Sequence, residues 1–333
     1  MYGLYHRQYA LRHAGPGADE TMAGTHERMR HRMTAAIYTT VLGKRYGRRW
    51  ALRDCSLALP AGRVAALVGP NGAGKTTLLQ LAVGLTDPTC GQIAIFGDPP
   101  RTHPTHVLPR IGFVAQDQPL YRRFTVADML TVGRKLNPRW DDGLARTRLS
   151  RLGIPLDRKV AALSGGQQAQ VALVLALAKR PDLLLLDEPV AALDPLARRE
   201  FLHTLTEAAA DDGRTVLLSS HIVADLERVC DYLIILAAAR VQLAGDIASL
   251  LAQHARLVGP HRAAEPVALD CTVIQATHDG ERATLLVRDA GRVLPPSWQR
   301  YDVLLEELVL AYLGQQGRDS HTPAQEHDRE VRA

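Results

Sequence analysis

The chain has 333 residues, 46% of them hydrophobic, and its 40 Lys and Arg against 35 Asp and Glu leave a formal charge of +5. That size and apolar content suit one large domain plus a small one around a substantial core, and the mild charge, with no basic stripe interleaved with aromatics, gives no sign of nucleic-acid binding. Cys55, Cys90, Cys230 and Cys271 lack C-x-x-C spacing and read as free thiols of a reducing compartment, and no apolar run approaches the ~18 residues of a membrane-spanning helix.

Residues 1–34 are rich in Arg, His, Met and Gly, show neither helix nor strand periodicity, and lack the apolar core of a signal peptide. They are expected to be disordered, and Met33-Thr34-Ala35-Ala36-Ile37 reads more like a native beginning than Met1 does. Residues 36–67 read as strands that lead into Gly69-Pro70-Asn71-Gly72-Ala73-Gly74-Lys75-Thr76-Thr77. This stretch fits the phosphate-loop pattern G-x-x-x-x-G-K-[ST], and it lies between an apolar strand (64–68) and a helical run (78–82), the context the motif needs. Glycines let the backbone approach phosphates without a Cβ in the way. The N–H groups and the helix start make an anion-binding concavity. Lys75 then supplies charge to the β- and γ-phosphates of ATP, and Thr76 offers a hydroxyl to Mg²⁺.

Residues 91–97 alternate as a further strand. His103 and His106 sit in a Pro-rich stretch and read as surface loop rather than a metal site. Residues 111–114 read as a strand ending near Gln116. From about 120 to 168 the pattern turns helical, with Val126, Met129 and Leu130 on one spacing and Leu144, Leu149 and Leu152 continuing it. Asn137-Pro138-Arg139-Trp140-Asp141 breaks two helices there. Leu163-Ser164-Gly165-Gly166-Gln167 follows, with a helix beginning near Gln167.

Leu183-Leu184-Leu185-Leu186-Asp187-Glu188-Pro189 is an apolar run ending in two carboxylates. Pro181 and Pro189 favour a short central strand buried on both faces, which puts Asp187 at a carboxyl end, where open α/β sheets bind ligands. Asp187 is the expected Mg²⁺ partner, through water, and Glu188 the general base that aligns the attacking water. A second apolar run (215–218) leads to Ser219-Ser220-His221. Beyond it, residues 270–288 read as two strands around Asp279-Gly280, a hairpin signal, and 301–313 as a helix. Residues 315–333 are polar and expected to be disordered.

These motifs, in this order over residues 35–255, resemble the ATP-binding subunits of ATP-binding cassette (ABC) transporters. The resemblance implies an α/β P-loop NTPase fold: a parallel-sheet core, an antiparallel β subdomain, and an inserted helical subdomain (about 120–168) that carries the LSGGQ signature. Residues 256–314 would form a small β-plus-helix extension. The resemblance further implies that Tyr46 stacks on adenine, with Trp50 a weaker competitor, and that Gln116 reaches Mg²⁺ and the attacking water. His221 would contact the γ-phosphate and orient Glu188. Ser164, Gly165, Gly166 and Gln167 would close over a nucleotide held by a partner chain. Asp194 would link the two sites; Ala191 stands where many relatives have serine.

The implied partners are a second ATPase subunit, identical or related, and a separately encoded permease, at the cytoplasmic face of the membrane. The Asn-Pro-x-Trp-Asp break and the short extension resemble exporters of bacterial type. Two alternatives remain: a soluble ABC ATPase acting on ribosomes or DNA, which usually carries two cassettes, a coiled-coil insertion or zinc-binding cysteines, and a non-hydrolysing nucleotide-binding module. If the phosphate loop is assigned correctly, Lys75→Ala weakens ATP binding about tenfold or more, read by titration of a fluorescent ATP analogue; unchanged affinity counts against the assignment.

Overall fold

A computed structural model describes residues 35–117, 119–261, 271–289 and 296–314. The two tails expected to be disordered, and the start at Met33, lie outside the described residues.

The central sheet has six strands in the order β5-β6-β7-β3-β8-β9. These are β3 (Val64–Val68), β5 (Ile111–Val114), β6 (Leu183–Asp187), β7 (Thr215–Ser220), β8 (Tyr232–Ala237) and β9 (Arg240–Asp246). The first five run parallel and β9 pairs antiparallel with β8. Leu183, Leu184, Leu185 and Leu186 are all fully buried, as a parallel strand covered on both faces requires.

One face of the sheet is covered by helix α1 (Lys75–Ala82) and a second, antiparallel sheet in the order β2-β1-β4. Strands β1 (Ala35–Tyr46) and β2 (Arg49–Pro60) form a hairpin, and β4 (Cys90–Ile95) pairs with the other edge of β1. Their inward residues, among them Ile37, Leu52, Leu59 and Ile95, share one core with Leu78 and Leu79 of α1 and Leu67 of β3. Here the alternation of each strand decides the packing: one face seals the core and the other meets solvent.

The helical subdomain holds α2 (Val126–Leu136) and α3 (Asp142–Arg151). Thr125 and Asp128 form a reciprocal capping box at the start of α2, and Asp141 caps α3. Trp140, in the break between them, packs where a Cβ on Gly133 would stand. Helix α4 (Gly165–Ala178) then serves two cores at once. Ala169, Ala172, Leu173, Ala176 and Leu177 face the main core, while Val171, Val174 and Ala178 face Val126, Leu130, Ala145 and Leu149. That double duty explains why α4 is apolar nearly all round. Helix α5 (Pro195–Asp212) follows β6 and closes this side with Phe201 and Leu205.

Beyond β9 come α6 (Ile247–Gln253) and a four-stranded antiparallel sheet in the order β11-β12-β10-β13. Its strands are β10 (His254–Pro260), β11 (Thr272–Asp279), β12 (Arg282–Arg288) and β13 (Gln299–Tyr301). The expected hairpin around Asp279-Gly280 is present as β11 and β12. Two further strands were not foreseen, and β10 starts at His254, inside the limit expected for the cassette. The final helix, α7, spans Leu305–Gly314 rather than 301–313. Tyr301 belongs to β13 instead, opposite Arg256, and Glu307 caps the true start by accepting from the Leu304 N–H at 3.0 Å.

All four cysteines are free thiols, and burial pushes the Cys230 thiol up to about 12, which makes it a packing residue. Because Trp140 occupies the space beside Gly133, Gly133→Val is expected to cost about 1–3 kcal/mol by overpacking, measurable by urea unfolding followed by tryptophan fluorescence.

Candidate functional site

Strands β3, β7 and β6 end at the same edge of the sheet, with Leu67 level with Ser219 and Ser219 level with Asp187. The phosphate loop leaves β3 at that edge. Gly74, at φ 107°, starts α1 in a left-handed turn, and a Cβ there would collide with the Ala51 carbonyl of β2. Gly69 is held as closely against the Leu236 carbonyl. The loop therefore accepts only glycine at both points and leaves its backbone as the lining of a cradle.

Lys75 is 5% exposed. Its Nζ donates to the Gly69 carbonyl at 2.8 Å and to that of Pro70 at 3.3 Å, and it lies 3.1 Å from Oε1 of Glu188. This contact spans the width of β7, which separates the strand of the loop from the strand of the carboxylates. The other carboxylate oxygen, Oε2, accepts from Nδ1 of His221 at 2.9 Å. Burial pushes the Glu188 carboxyl up, but the hydrogen bonds and charges of Lys75 and His221 outweigh it and hold the group below the ordinary glutamate range.

Glu188 has a left-handed backbone, φ 45°, which costs a residue with a Cβ about 1–2 kcal/mol. Its N–H donates to Ser219 Oγ at 2.8 Å, and that hydroxyl donates to Asp187 Oδ1 at 2.8 Å. Asp187 is 1% exposed. Thus Lys75, Asp187, Glu188 and His221, all picked from sequence, meet in one place. Ser219 was missed: it looked like the polar end of an apolar run, and only the parallel register of β6 and β7 sets it against Asp187. Arg49 was missed as well; its guanidinium lies beside Gly72, at the tip of the β1–β2 hairpin.

Tyr46 sits at the end of β1, half exposed, with Lys44 Nζ 5.1 Å from its ring centroid; a ring packed in the core is ruled out. Trp50, opposite Arg45, is less exposed, with the Arg45 guanidinium 5.6 Å away. Thr76 and Thr77 are half-buried in the first turn of α1, and Asn71 is exposed on the loop. Gln116 is exposed two residues past β5, and among the described residues its side chain makes no hydrogen bond.

Ser164 caps α4, accepting from the Gln167 N–H at 3.2 Å while the Gln167 side chain accepts from the Ser164 N–H at 3.1 Å. The helix therefore begins at Gly165, earlier than expected. Ser164 and Gly165 are exposed. A Cβ on Gly166 would come within 2.7 Å of the Ala197 Cβ, which locks the start of α4 onto α5. Asp194 caps α5, accepting from the N–H groups of Leu196 and Ala197, each at 3.0 Å. Among the described residues no hydrogen bond or ion pair joins the 163–167 stretch to the phosphate loop.

The donor set fits a nucleoside triphosphate with Mg²⁺: a backbone cradle backed by a buried ammonium, and hard oxygen donors at Thr76 and Asp187, the kind Mg²⁺ prefers.

A family model described as "ABC transporter" matches residues 52–191. Sulfate/thiosulfate import ATP-binding protein CysA 1 of Agrobacterium fabrum is 38% identical over 214 residues, which cover 61% of this chain and 61% of that protein. Nod factor export ATP-binding protein I of Rhizobium johnstonii is 34% identical over 265 residues, covering 78% of this chain and 80% of that protein. A solved structure titled "Structure of ATP binding subunit of ABC transporter" superposes with a TM-score of 0.59 at 30% identity, over 66% of this chain and 92% of that one. The match thus spans about three fifths of CysA 1 and four fifths of the Rhizobium johnstonii protein.

Removing Lys75 leaves the Glu188 carboxylate buried without its cation. Lys75→Met is therefore expected to destabilise the protein by about 3–5 kcal/mol at neutral pH. The sign follows from the depressed carboxyl: its contribution is full above the unfolded-state value and is lost as pH falls through the folded one. The gap between Lys75→Met and the parent in urea midpoint should accordingly shrink as the pH is lowered below the ordinary glutamate range.

Proposed function

Because the chain belongs to the ATP-binding subunits of ABC transporters, we propose that it binds and hydrolyses ATP to drive export through a separate transmembrane permease. The observation that carries this reading is the meeting of Lys75, Glu188 and His221 at the ends of β3, β6 and β7. Lys75 exchanges its loop carbonyls and Glu188 for the β- and γ-phosphate oxygens. Glu188, freed of that ion pair, accepts the proton of the attacking water. His221 holds the carboxylate in line through Nδ1. Such chemistry is mainly positioning and charge stabilisation. Asp187, Thr76 and Gln116 would hold Mg²⁺, which offsets charge on the phosphates. Tyr46 stacks on adenine beside the loop, and an aromatic face accepts any base with little selectivity.

Ser164, Gly165, Gly166 and Gln167 serve a partner's nucleotide. Two features support that assignment. Ser164 and Gly165 are exposed at a capped helix start, the positive end of α4, and Leu196 beside Asp194 is 66% exposed. ATP then joins two subunits, identical or related, and hydrolysis releases them. No described helix is long and apolar enough to cross a membrane; a separate permease, with this subunit at the cytoplasmic membrane face, is supported by the relatives' names as import and export ATP-binding proteins. Export is favoured over import by the alignment with the Nod factor export protein I of Rhizobium johnstonii, which covers 78% of this chain against 61% for CysA 1. Transport, rather than action on ribosomes or DNA, is favoured because both relatives are named for import or export.

Glu188→Gln is expected to lower kcat by about 10²–10⁴-fold and to trap an ATP-bound dimer, visible by size exclusion with ATP and Mg²⁺; normal turnover removes Glu188 as the base. Ser164→Arg is expected to spare ATP binding yet block paired hydrolysis. Full activity of that variant means the 164–167 stretch does not act across the dimer.

A further inference from the structure

Ser219 is fully buried on β7, between the strand of the phosphate loop and the strand of the two carboxylates. A serine hydroxyl has one proton to give and two lone pairs to accept with, and here both capacities are used. The proton goes to Asp187 Oδ1 at 2.8 Å, and a lone pair takes the Glu188 N–H at 2.8 Å. The neighbouring Ser220 faces elsewhere: its Oγ accepts from the Ile222 N–H at 3.0 Å.

The Glu188 amide stands just past the last ladder pair of β6 and β7, Asp187 with Ser219, where the ladder offers no further partner. Its residue is also in the left-handed region, which a side chain with a Cβ keeps only where its surroundings over-determine it. From that backbone position the carboxylate reaches Lys75 on one oxygen and His221 on the other.

We propose that Ser219 is a positioning residue for ATP hydrolysis, whose single hydroxyl pins the backbone of Glu188 in its left-handed turn and aims Asp187 from the same point. This rests on the ATPase reading above. Reacting groups lose rate steeply with small misplacements, about 10²-fold for ~1 Å, so a backbone pin at the base acts on turnover. Lys75 and the loop, which hold the nucleotide, are anchored on β3 and α1 and do not depend on the hydroxyl.

The test uses the full chain with Ser219→Ala and Ser219→Thr, and with Lys75→Ala and Glu188→Gln as controls. Ser219→Ala is expected to lower kcat about tenfold or more while the Kd for a fluorescent ATP analogue, measured by direct titration, stays within about threefold of the parent. Ser219→Thr keeps the hydroxyl and is expected to recover most of the lost kcat. Melting curves report whether each variant folds; if Ser219→Thr does not fold, the split between kcat and Kd in Ser219→Ala decides. The proposal is overturned if Ser219→Ala turns over like the parent, or if it loses kcat and affinity in the same proportion. A parent whose turnover is indifferent to both controls overturns the ATPase reading, and the role of Ser219 with it. A parent that needs Lys75 and Glu188 but tolerates Ser219→Ala loses only the role of Ser219.

Discussion

A buried ammonium needs a counter-charge, and Lys75 finds it across a whole strand in Glu188. That requirement organises the edge of the central sheet. Isolated charges of this kind are costly to bury, so the loop that carries Lys75 and the strand that carries Glu188 have to be held at one separation. The sheet order supplies it, with β7 as the spacer between β6 and β3. In the function proposed above, a triphosphate takes Lys75 from this pair and releases the carboxylate.

Helix α4 carries the same logic into the rest of the molecule. It is the shared wall of the main core and the helical subdomain, and its first turn is pinned to α5 through Gly166 and Ala197. Ion pairs fasten the far end: Arg180 to Asp141 at 2.6 Å, and Asp182 between Arg110 at 2.6 Å and Arg139 at 3.1 Å. The helix thus ties the exposed cap at Ser164 to the loop between α2 and α3 through one continuous packed element.

What could be read in the sequence was local. The phosphate loop and the leucine strand ending in Asp187-Glu188 are short local patterns, and they supply Lys75 and Glu188, which meet at the sheet edge; the LSGGQ stretch is as local but shares no hydrogen bond or ion pair with the loop among the described residues. Strand order is not local, and so Ser219 stayed hidden: its partners lie 32 and 31 positions away. Tyr301 shows the same limit at the other end of the chain. Its apolar successors read as a helix from 301, yet pairing with Arg256 takes it into a three-residue strand, a tertiary override of local preference. Gly133 lies in the same helical run as Val126, Met129 and Leu130, and nothing in that spacing shows that it makes room for Trp140.

Helix α7 has a consequence for how the molecule is made. Leu305, Leu308, Val309, Ala311 and Tyr312 lie in the same core as β6, β7 and α5, and Tyr312 hydrogen-bonds buried His254 at 3.0 Å. A ribosome therefore releases the parts of the nucleotide edge long before it releases the last wall behind them. Until that wall emerges, Leu226, Leu233 and their neighbours face water, a state that invites aggregation in a nascent chain. The main core is complete only with the final described helix in place.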